Sequence, residues 1–204
     1  GAPEIEQMHD ELRRATTSAM ALFGENLIQY QQSEKQFLRR LEKVAAASMA
    51  ENGTAPLRQR LHEILKVFST ALAAETVGLY FYEPEQRQLR LVASTGVEDG
   101  LMDEYVTPLG APSFASRLAG AGHMLYIADV AKSGLEVPEP LRKTGARSIL
   151  GMPLICRGVL FGALYVGVTE TRLFEPRDVR LFEALGERFG VLLDNARVHD
   201  DLNA

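Results

Sequence analysis

The sequence has little that would support redox, metal or phosphoryl-transfer chemistry, beginning with its single cysteine, Cys156. One cysteine excludes an internal disulfide and a thiolate metal cluster, and it fits a reducing, cytoplasmic setting. The four histidines are scattered, with no further ligand at a neighbouring helical turn, so no metal site is predicted. No phosphate-binding glycine loop and no nucleophile elbow occurs. We therefore expect no catalytic residue, no metal and no cofactor.

Charge and hydropathy exclude two further classes of function. The net charge of −5 gives no electrostatic support for nucleic-acid binding. No apolar run approaches the roughly 20 residues that span a bilayer, and the acidic first ten residues do not resemble a signal peptide. With 46% hydrophobic and 24% charged residues, the composition is that of a globular protein. Helical patterns at both ends lead us to expect a piece of a longer protein.

A helical pattern covers residues 4–48, because apolar residues recur every three or four positions. The two successive steps of four through Ala19, Phe23 and Leu27 form a stutter, which locally unwinds a coiled coil. The pattern fits either a weak coiled coil or a long helix folded back on the next domain. The repeating positions are Ile5, Met8, Leu12, Ala15, Ala19, Phe23, Leu27, Tyr30, Glu34, Phe37, Leu41 and Val44.

The remaining chain alternates regular elements with one irregular segment. After a break at residues 51–56, the spacing predicts an amphipathic helix over 57–74, and strands over 77–82 and 89–94. Residues 95–147 are rich in Gly, Pro, Ala and Asp, and an irregular segment of this length usually lines or covers a site. Within it we predict strands at 105–107 and 124–128, a helix at 113–119 and a helical turn at 139–144.

The stretch from Arg147 to Val168 predicts the centre of the fold. It reads as two strands joined at Arg157-Gly158, a two-residue connection typical of a hairpin. Apolar side chains fall on both faces of these strands, so we expect the sheet to be covered on both sides. A last helix is predicted from about Pro176 to about Leu202, with apolar residues in three-four spacing from Phe182 to His199.

This order of elements resembles the GAF domain, a small-molecule-binding and dimerising module of bacterial sensors. The resemblance covers about residues 57–200. It implies an α+β fold with a central antiparallel sheet of five or six strands, helices on one face and a loop-rich cap on the other, enclosing a pocket. The segments that carry it are VGLYFYEPEQRQLRLVASTG (77–96), LYIADV (125–130), SILGMPLICRGVLFGALYVG (148–167) and LFEPRDVRLFEALGERFGVLLDNAR (173–197).

The resemblance also predicts a ligand site under the cap. Aromatic side chains and two arginines suit a small organic ligand with a carboxylate or phosphate. The alternative is that the tyrosines fill a closed core and the arginines pair with Asp103, Glu104 or Asp129. Cys156 is a candidate redox thiol, since Arg157 beside it would lower its pKa. The candidate ligand-binding residues are Tyr80, Tyr82, Tyr105, Phe114, Arg117, Tyr126, Arg147 and Met152.

The motifs of specialised members of the family are matched less well by this sequence. Sulfoxide reductases of this fold use several cysteines, and this chain has one. Of the cyclic-nucleotide motif only Phe174 and Asp178 are present, since Val179 replaces a glutamate and the Asn-Lys is absent. Bilin attachment needs a cysteine near the pocket helix or in an N-terminal extension. For haem, His123 is the one candidate axial ligand that the sequence places on the pocket side.

The resemblance predicts a cytoplasmic sensory module with three parts: an N-terminal helix (1–54), a GAF core (55–175) and a C-terminal linker helix (176–204). We expect it to form a homodimer through residues 4–44 and 182–202, and to control an attached output domain, a histidine kinase or a cyclase. One alternative is a structural dimerisation module with a filled pocket and no ligand. A second is a cyclic-nucleotide-binding domain.

Overall fold

The computed structural model describes the backbone of residues 2–48, 56–97, 105–137 and 139–203, and the side chains of these except 2–6, 139–140 and 196–203. Several predicted features lie outside the described residues: the break at 51–55, the proposed ion-pair partners Asp103 and Glu104, and the side chain of His199. The chain divides into two compact units, Gly1–Gln36 and Phe37–Ala204.

The first unit is the N-terminal part of helix α1 (Ala2–Ser48). Its apolar stripe is exposed: Met8, Leu12 and Phe23 are 59%, 67% and 72% accessible. Leu27 continues the same stripe, also exposed. An exposed apolar stripe of this length is uncommon on a monomeric protein.

The second unit begins with the last turns of α1, which belong to its hydrophobic core. Leu41 and Ala45 are buried, and Phe37, Leu38 and Val44 pack against them. Sequence analysis assigned Phe37, Leu41 and Val44 to an intermolecular seam. That part of the prediction is corrected, because these side chains are already covered by their own domain.

Six antiparallel strands form the sheet, in the order β3-β2-β1-β6-β5-β4. The predicted antiparallel sheet of five or six strands is confirmed. The turn between β5 and β6 is Arg157-Gly158, with φ values of 50° and 78°, the left-handed pair of a two-residue hairpin. The strands are β1 (Thr76–Glu83), β2 (Gln88–Thr95), β3 (Val106–Pro108), β4 (Leu125–Ile127), β5 (Ser148–Cys156) and β6 (Val159–Val168).

Helix α2 (Leu57–Leu72) covers one face of the sheet, together with the last helix of the chain, Pro176–Asn203. Phe68 of α2 is fully buried, and its ring makes edge-to-face contacts with Phe182 and Phe189 at 6.3 and 5.9 Å. Leu185 is also fully buried. Phe182, Leu185 and Phe189 therefore belong to the core of their own domain, and the dimer contact predicted through the rest of residues 182–202 stays a prediction.

The loop-rich cap covers the other face, as predicted. Its main element is helix α3 (Phe114–Ala121), whose N-cap residue Ser113 accepts a hydrogen bond from the Ser116 amide. Gly151 of β5 lies beneath this helix, and a Cβ there would come within 2.7 Å of Leu118. The glycine thus lets α3 rest directly on the sheet. A 3₁₀ turn (Val130–Lys132) and helix α4 (Glu139–Lys143) complete the cap; the last helix is α5.

Of the helices in the described residues, none combines the length and the apolar content that a membrane crossing requires.

Candidate functional site

A cluster of tyrosines occupies the space beneath the cap where the sequence predicts a pocket. The ring centroid of Tyr80 lies 6.0 Å from that of Tyr105 and 6.0 Å from that of Tyr165. Tyr80 and Tyr165 are each 1% exposed. Burial raises the pKa of Tyr105 and of Tyr165 to about 12, and it also raises the pKa of Tyr80 well above its usual value. This region is a packed apolar interior.

Tyr165 is the member of the cluster that sequence reasoning missed. It stands opposite Gly78 in the β1–β6 register, and its ring fills the place that a side chain at Gly78 would need. Its hydroxyl lies beside Ser94 and Thr76, whose hydroxyls donate to main-chain carbonyls. Within the described part of the chain the phenol has no partner of good geometry. Tyr165 comes to lie over Gly78 only through the register of the two strands, so no local sequence pattern predicts this contact.

Three predicted site residues, Phe114, Arg117 and Tyr126, meet in an open groove beside this cluster, which we call the cap groove. It has a volume of about 620 Å³, within the range of small-molecule sites. It lies between α3, the edge strand β4 and the segment that follows β4. Its floor and walls are Phe114, Arg117, Leu125, Tyr126, Ile127, Ala128, Asp129, Lys132, Ser133, Leu135 and Thr171.

The cap groove contains side chains of opposite charge. The Asp129 side chain is only 13% exposed; its Oδ1 accepts from the Ala131 amide at 3.1 Å, and its Oδ2 lies 3.4 Å from Nζ of Lys132. Lys132 is 85% exposed, so this ion pair is weak. Arg117 is exposed and has no carboxylate within 4 Å among the described residues. The alternative that Arg117 pairs with Asp129 is therefore not realised.

Tyr126 forms a fixed wall of the cap groove. Its hydroxyl donates to the carbonyl of Arg172 at 2.9 Å, and its ring meets that of Phe174 edge-on at 5.9 Å. The Arg172 guanidinium lies over the same Phe174 ring at 5.4 Å. The segment that precedes α5, which contains Arg172 and Phe174, thus holds Tyr126 in place, so this side of the cap groove is preformed.

The other predicted site residues lie elsewhere. Tyr82 is partly buried against the tyrosine cluster. Arg147 is exposed and does not line the cap groove; its main chain bonds Val168 and Val130. Met152 faces the helical layer, where its sulfur occupies the space beside Gly186. Its predicted place in the pocket is wrong, because the alternation of β5 turns this side chain to the opposite face.

The residues considered as candidates for haem or cyclic-nucleotide binding have environments other than the predicted pocket. His123 lines a cavity of about 280 Å³ on the helical side with Met152, not the cap side as predicted. Phe174 is buried in the core, and Asp178 accepts from the Glu175 amide at the start of α5. Among the described residues, no three His, Cys, Asp or Glu side chains are grouped as metal ligands would be.

The candidate thiol Cys156 lies at the end of β5 against α5. Its Sγ is 3.5 Å from Oδ2 of Asp194, and Nε of Arg157 lies 3.4 Å from the same oxygen. Desolvation and the Asp194 carboxylate raise the pKa of the thiol, and Arg157 acts weakly in the opposite direction. Arg157 acts in the expected direction, but desolvation and the Asp194 carboxylate outweigh it, so the predicted net lowering of the thiol pKa is wrong.

We predict that Asp194→Asn speeds alkylation of Cys156 by iodoacetamide at pH 8 several-fold. Removing the carboxylate takes away the charge that disfavours the thiolate, the reacting form. Arg157→Gln should slow the reaction, because it removes a nearby cation. Measured rates that change in the same direction in both variants would contradict this account of the thiol.

Comparison with known proteins agrees with this architecture. Residues 54–194 match the model of the GAF domain family. The GAF domain of a phosphoenolpyruvate-protein phosphotransferase from Coxiella burnetii superposes with a TM-score of 0.71 at 18% identity, over 83% of this chain and 98% of that one. A search of curated proteins finds no significant match.

Two further solved structures show the breadth of the fold. Free methionine-R-sulfoxide reductase from Neisseria meningitidis, in complex with its substrate, has a TM-score of 0.60 at 16% identity, covering 78% of this chain and 89% of that one. The phycoerythrobilin-bound GAF domain of a cyanobacterial phytochrome has a TM-score of 0.60 at 16% identity, covering 82% and 97%. From the matched residues, the six-stranded sheet and its cap, this chain belongs to the GAF domain family.

Proposed function

We propose that this chain is a cytoplasmic regulatory module that binds a small molecule with a carboxylate and an apolar body, of the free amino acid type, in the cap groove. Binding there biases the arrangement of a homodimer and so controls an output domain. The observation that carries the proposal is the cap groove itself, in which an aspartate with a largely shielded carboxylate and an arginine with no carboxylate partner among the described residues flank an apolar floor.

The charges of the groove match a zwitterion. Arg117 offers a planar fork for a carboxylate, and the Asp129 carboxylate can accept from an ammonium group in place of the weakly held Lys132. Phe114, Leu125 and Ile127 supply apolar surface for a side chain. A ligand with only one of these groups would use only part of the site.

The similar structures support a binding role. The Neisseria enzyme is described in complex with its substrate, and the cyanobacterial domain is described with a bound bilin. Both are small molecules held by a GAF fold. A catalytic role is not proposed here, because the sole cysteine has a raised pKa and lies against α5, not in the cap groove.

Dimerisation is proposed through the first unit. Its exposed stripe of Met8, Leu12, Phe23 and Leu27 has the spacing of a helix-pairing seam. At the other end, α5 continues to Asn203, ten residues past Leu193, the last buried side chain among those described. We propose that residues 1–54 and 176–204 act as signalling helices around a core at 55–175, with an output of the histidine kinase or cyclase type, as in two-component systems.

One alternative is a structural dimerisation module without a ligand. The buried tyrosines Tyr80 and Tyr165 favour it, because they fill the interior under the cap. It differs from the main proposal only in leaving the cap groove unoccupied. The cyclic-nucleotide alternative has less support, since Phe174 and Asp178 already have structural roles.

A thermal-shift experiment separates these proposals. L-leucine and L-phenylalanine are compared with 4-methylpentanoate and 3-phenylpropanoate, which lack the amino group. A ligand at about 100 times its Kd stabilises by about 2.7 kcal/mol, so the Tm should rise by roughly 5–10 °C. A screen in which no amino acid and no carboxylate raises the Tm would favour the structural module.

Two variants test the assigned contacts. Arg117→Gln should remove the response to all four compounds, because all carry a carboxylate. Asp129→Asn should remove only the extra response to the amino acids, and its amide oxygen can still cap the 3₁₀ turn. The matched control is Arg142→Gln on α4, an exposed arginine that does not line the groove. Equal loss in this control would overturn the site.

A further inference from the structure

A second groove lies on the other side of α3. It has a volume of about 590 Å³ and is bounded by the β1–β2 turn, the loop between β3 and α3, and α3 itself. We call it the arginine groove. It is lined by Arg87, Leu109, Gly110, Ala111, Pro112, Ser116, Arg117 and Gly120.

Two positively charged side chains line the arginine groove. Arg87 comes from the β1–β2 turn and Arg117 from α3, and the lining contains no aspartate or glutamate. Among the described residues neither guanidinium has a carboxylate within 4 Å, whereas Arg90, close by in the same hairpin, is held by Glu83 at 2.6 Å. Two arginines without a carboxylate partner in the described part of the chain are a local exception in a protein whose net charge is −5.

The backbone around these arginines is fixed. Arg87 has a φ of 50°, its amide donates to Pro84, and its carbonyl accepts from the Leu109 amide at 2.8 Å. The Gly110 amide donates to Oγ of Ser116 at 2.7 Å, which ties the loop to α3. These hydrogen bonds connect the turn, the loop and the helix. A Cβ at Gly110 or Gly120 would meet nothing within 4 Å, so the groove is open at both glycines.

We propose that the arginine groove binds the phosphate group of a small-molecule phosphate monoester. Two guanidinium forks match the charge and the oxygen atoms of a phosphate dianion. The volume suits a small molecule, and the acidic character of the chain disfavours a polyanion such as nucleic acid. Arg117 lines both grooves, so a carboxylate in the cap groove and a phosphate in the arginine groove compete for it.

Titration calorimetry with phenyl phosphate tests the proposal, with inorganic phosphate as a second probe and sodium chloride at equal ionic strength as the reference. In parallel, ¹H–¹⁵N NMR spectra recorded with and without phenyl phosphate should show chemical-shift changes at the backbone amides of Gly110 and Ser116. Arg87→Gln should weaken phosphate binding at least about tenfold, because it removes one of two charge-assisted contacts. The control Arg142→Gln removes the same charge from an exposed site outside the groove and should leave binding unchanged.

The outcomes also separate this site from the proposed amino acid site. Arg87→Gln should leave the response to L-leucine intact, and Asp129→Asn should leave phosphate binding intact. Arg117→Gln should weaken both. The proposal is overturned if sodium chloride reproduces the effect of phenyl phosphate, if Arg87→Gln behaves like Arg142→Gln, or if the shifted amides lie outside the groove. Loss of the L-leucine response in wild type would leave the phosphate result unaffected.

Discussion

Replacing Phe68 with alanine is expected to lower the free energy of unfolding by about 3–5 kcal/mol, the cost of removing a buried phenylalanine. Phe68 is fully buried at the centre of the helical layer, where its ring meets Phe182 and Phe189. These contacts join α2 to α5, so the cavity would lie where the two helices hold each other against the sheet. A loss of this size corresponds to a decrease in Tm of roughly 10 °C.

Chemical denaturation followed by circular dichroism measures this effect, at one protein concentration for all variants. Leu173→Ala serves as the control, because it removes an apolar side chain that is 75% exposed. It should change the stability by less than about 0.5 kcal/mol. A Phe68→Ala variant as stable as Leu173→Ala would show that the described packing of α2 on α5 is wrong.

The second large effect is expected in the first unit: wild type forms a dimer, and the double variant Phe23→Glu with Leu27→Glu is a monomer. Phe23 and Leu27 lie one turn apart on the exposed stripe. Burying each contributes about 1.5–3 kcal/mol, so a dimer that loses four such side chains is weakened on the order of 10⁴-fold or more. The four new carboxylates add repulsion.

Sedimentation velocity gives the oligomeric state directly. The matched control is Ala21→Glu with Gln32→Glu, which adds the same charge to the opposite side of the helix at 100° per residue. It should remain a dimer. A wild-type protein that is monomeric at high micromolar concentration would refute the proposed seam, and equal dissociation of the control would show that charge alone, not the stripe, decides assembly.

Much of the architecture could be predicted from local patterns. The strand predicted at 77–82 is β1 (Thr76–Glu83), and the helix predicted at 57–74 is α2 (Leu57–Leu72). The apolar hairpin around Arg157-Gly158 predicted a sheet covered on both faces, because side chains that are apolar on both faces of a strand need two covering layers. These features depend on how often apolar residues recur along the chain, and this spacing is a local property of neighbouring residues.

The candidate site was predictable only in part. Phe114, Arg117 and Tyr126 were identified by residue type and lie in one groove, but Asp129 was considered only as a partner for an arginine. Met152 was assigned to the wrong face, because its orientation depends on where β5 begins its alternation. Arg87 was not identified at all, since a lone arginine in a turn gives no signal until α3 is placed beside it.

By itself, the sequence determined the order of helices and strands, because this order follows from the periodicity of apolar residues. Four of its segments carried the resemblance to the GAF domain family, which the match over residues 54–194 confirmed. The tertiary structure alone decided that Tyr165 fills the space over Gly78 and that Asp194, 38 residues from Cys156, lies against the thiol. It also decided which part of the α1 stripe is exposed and which is buried in the core. Each of these depends on contacts between residues far apart in the chain, and such contacts are fixed by register and packing, which no local pattern contains.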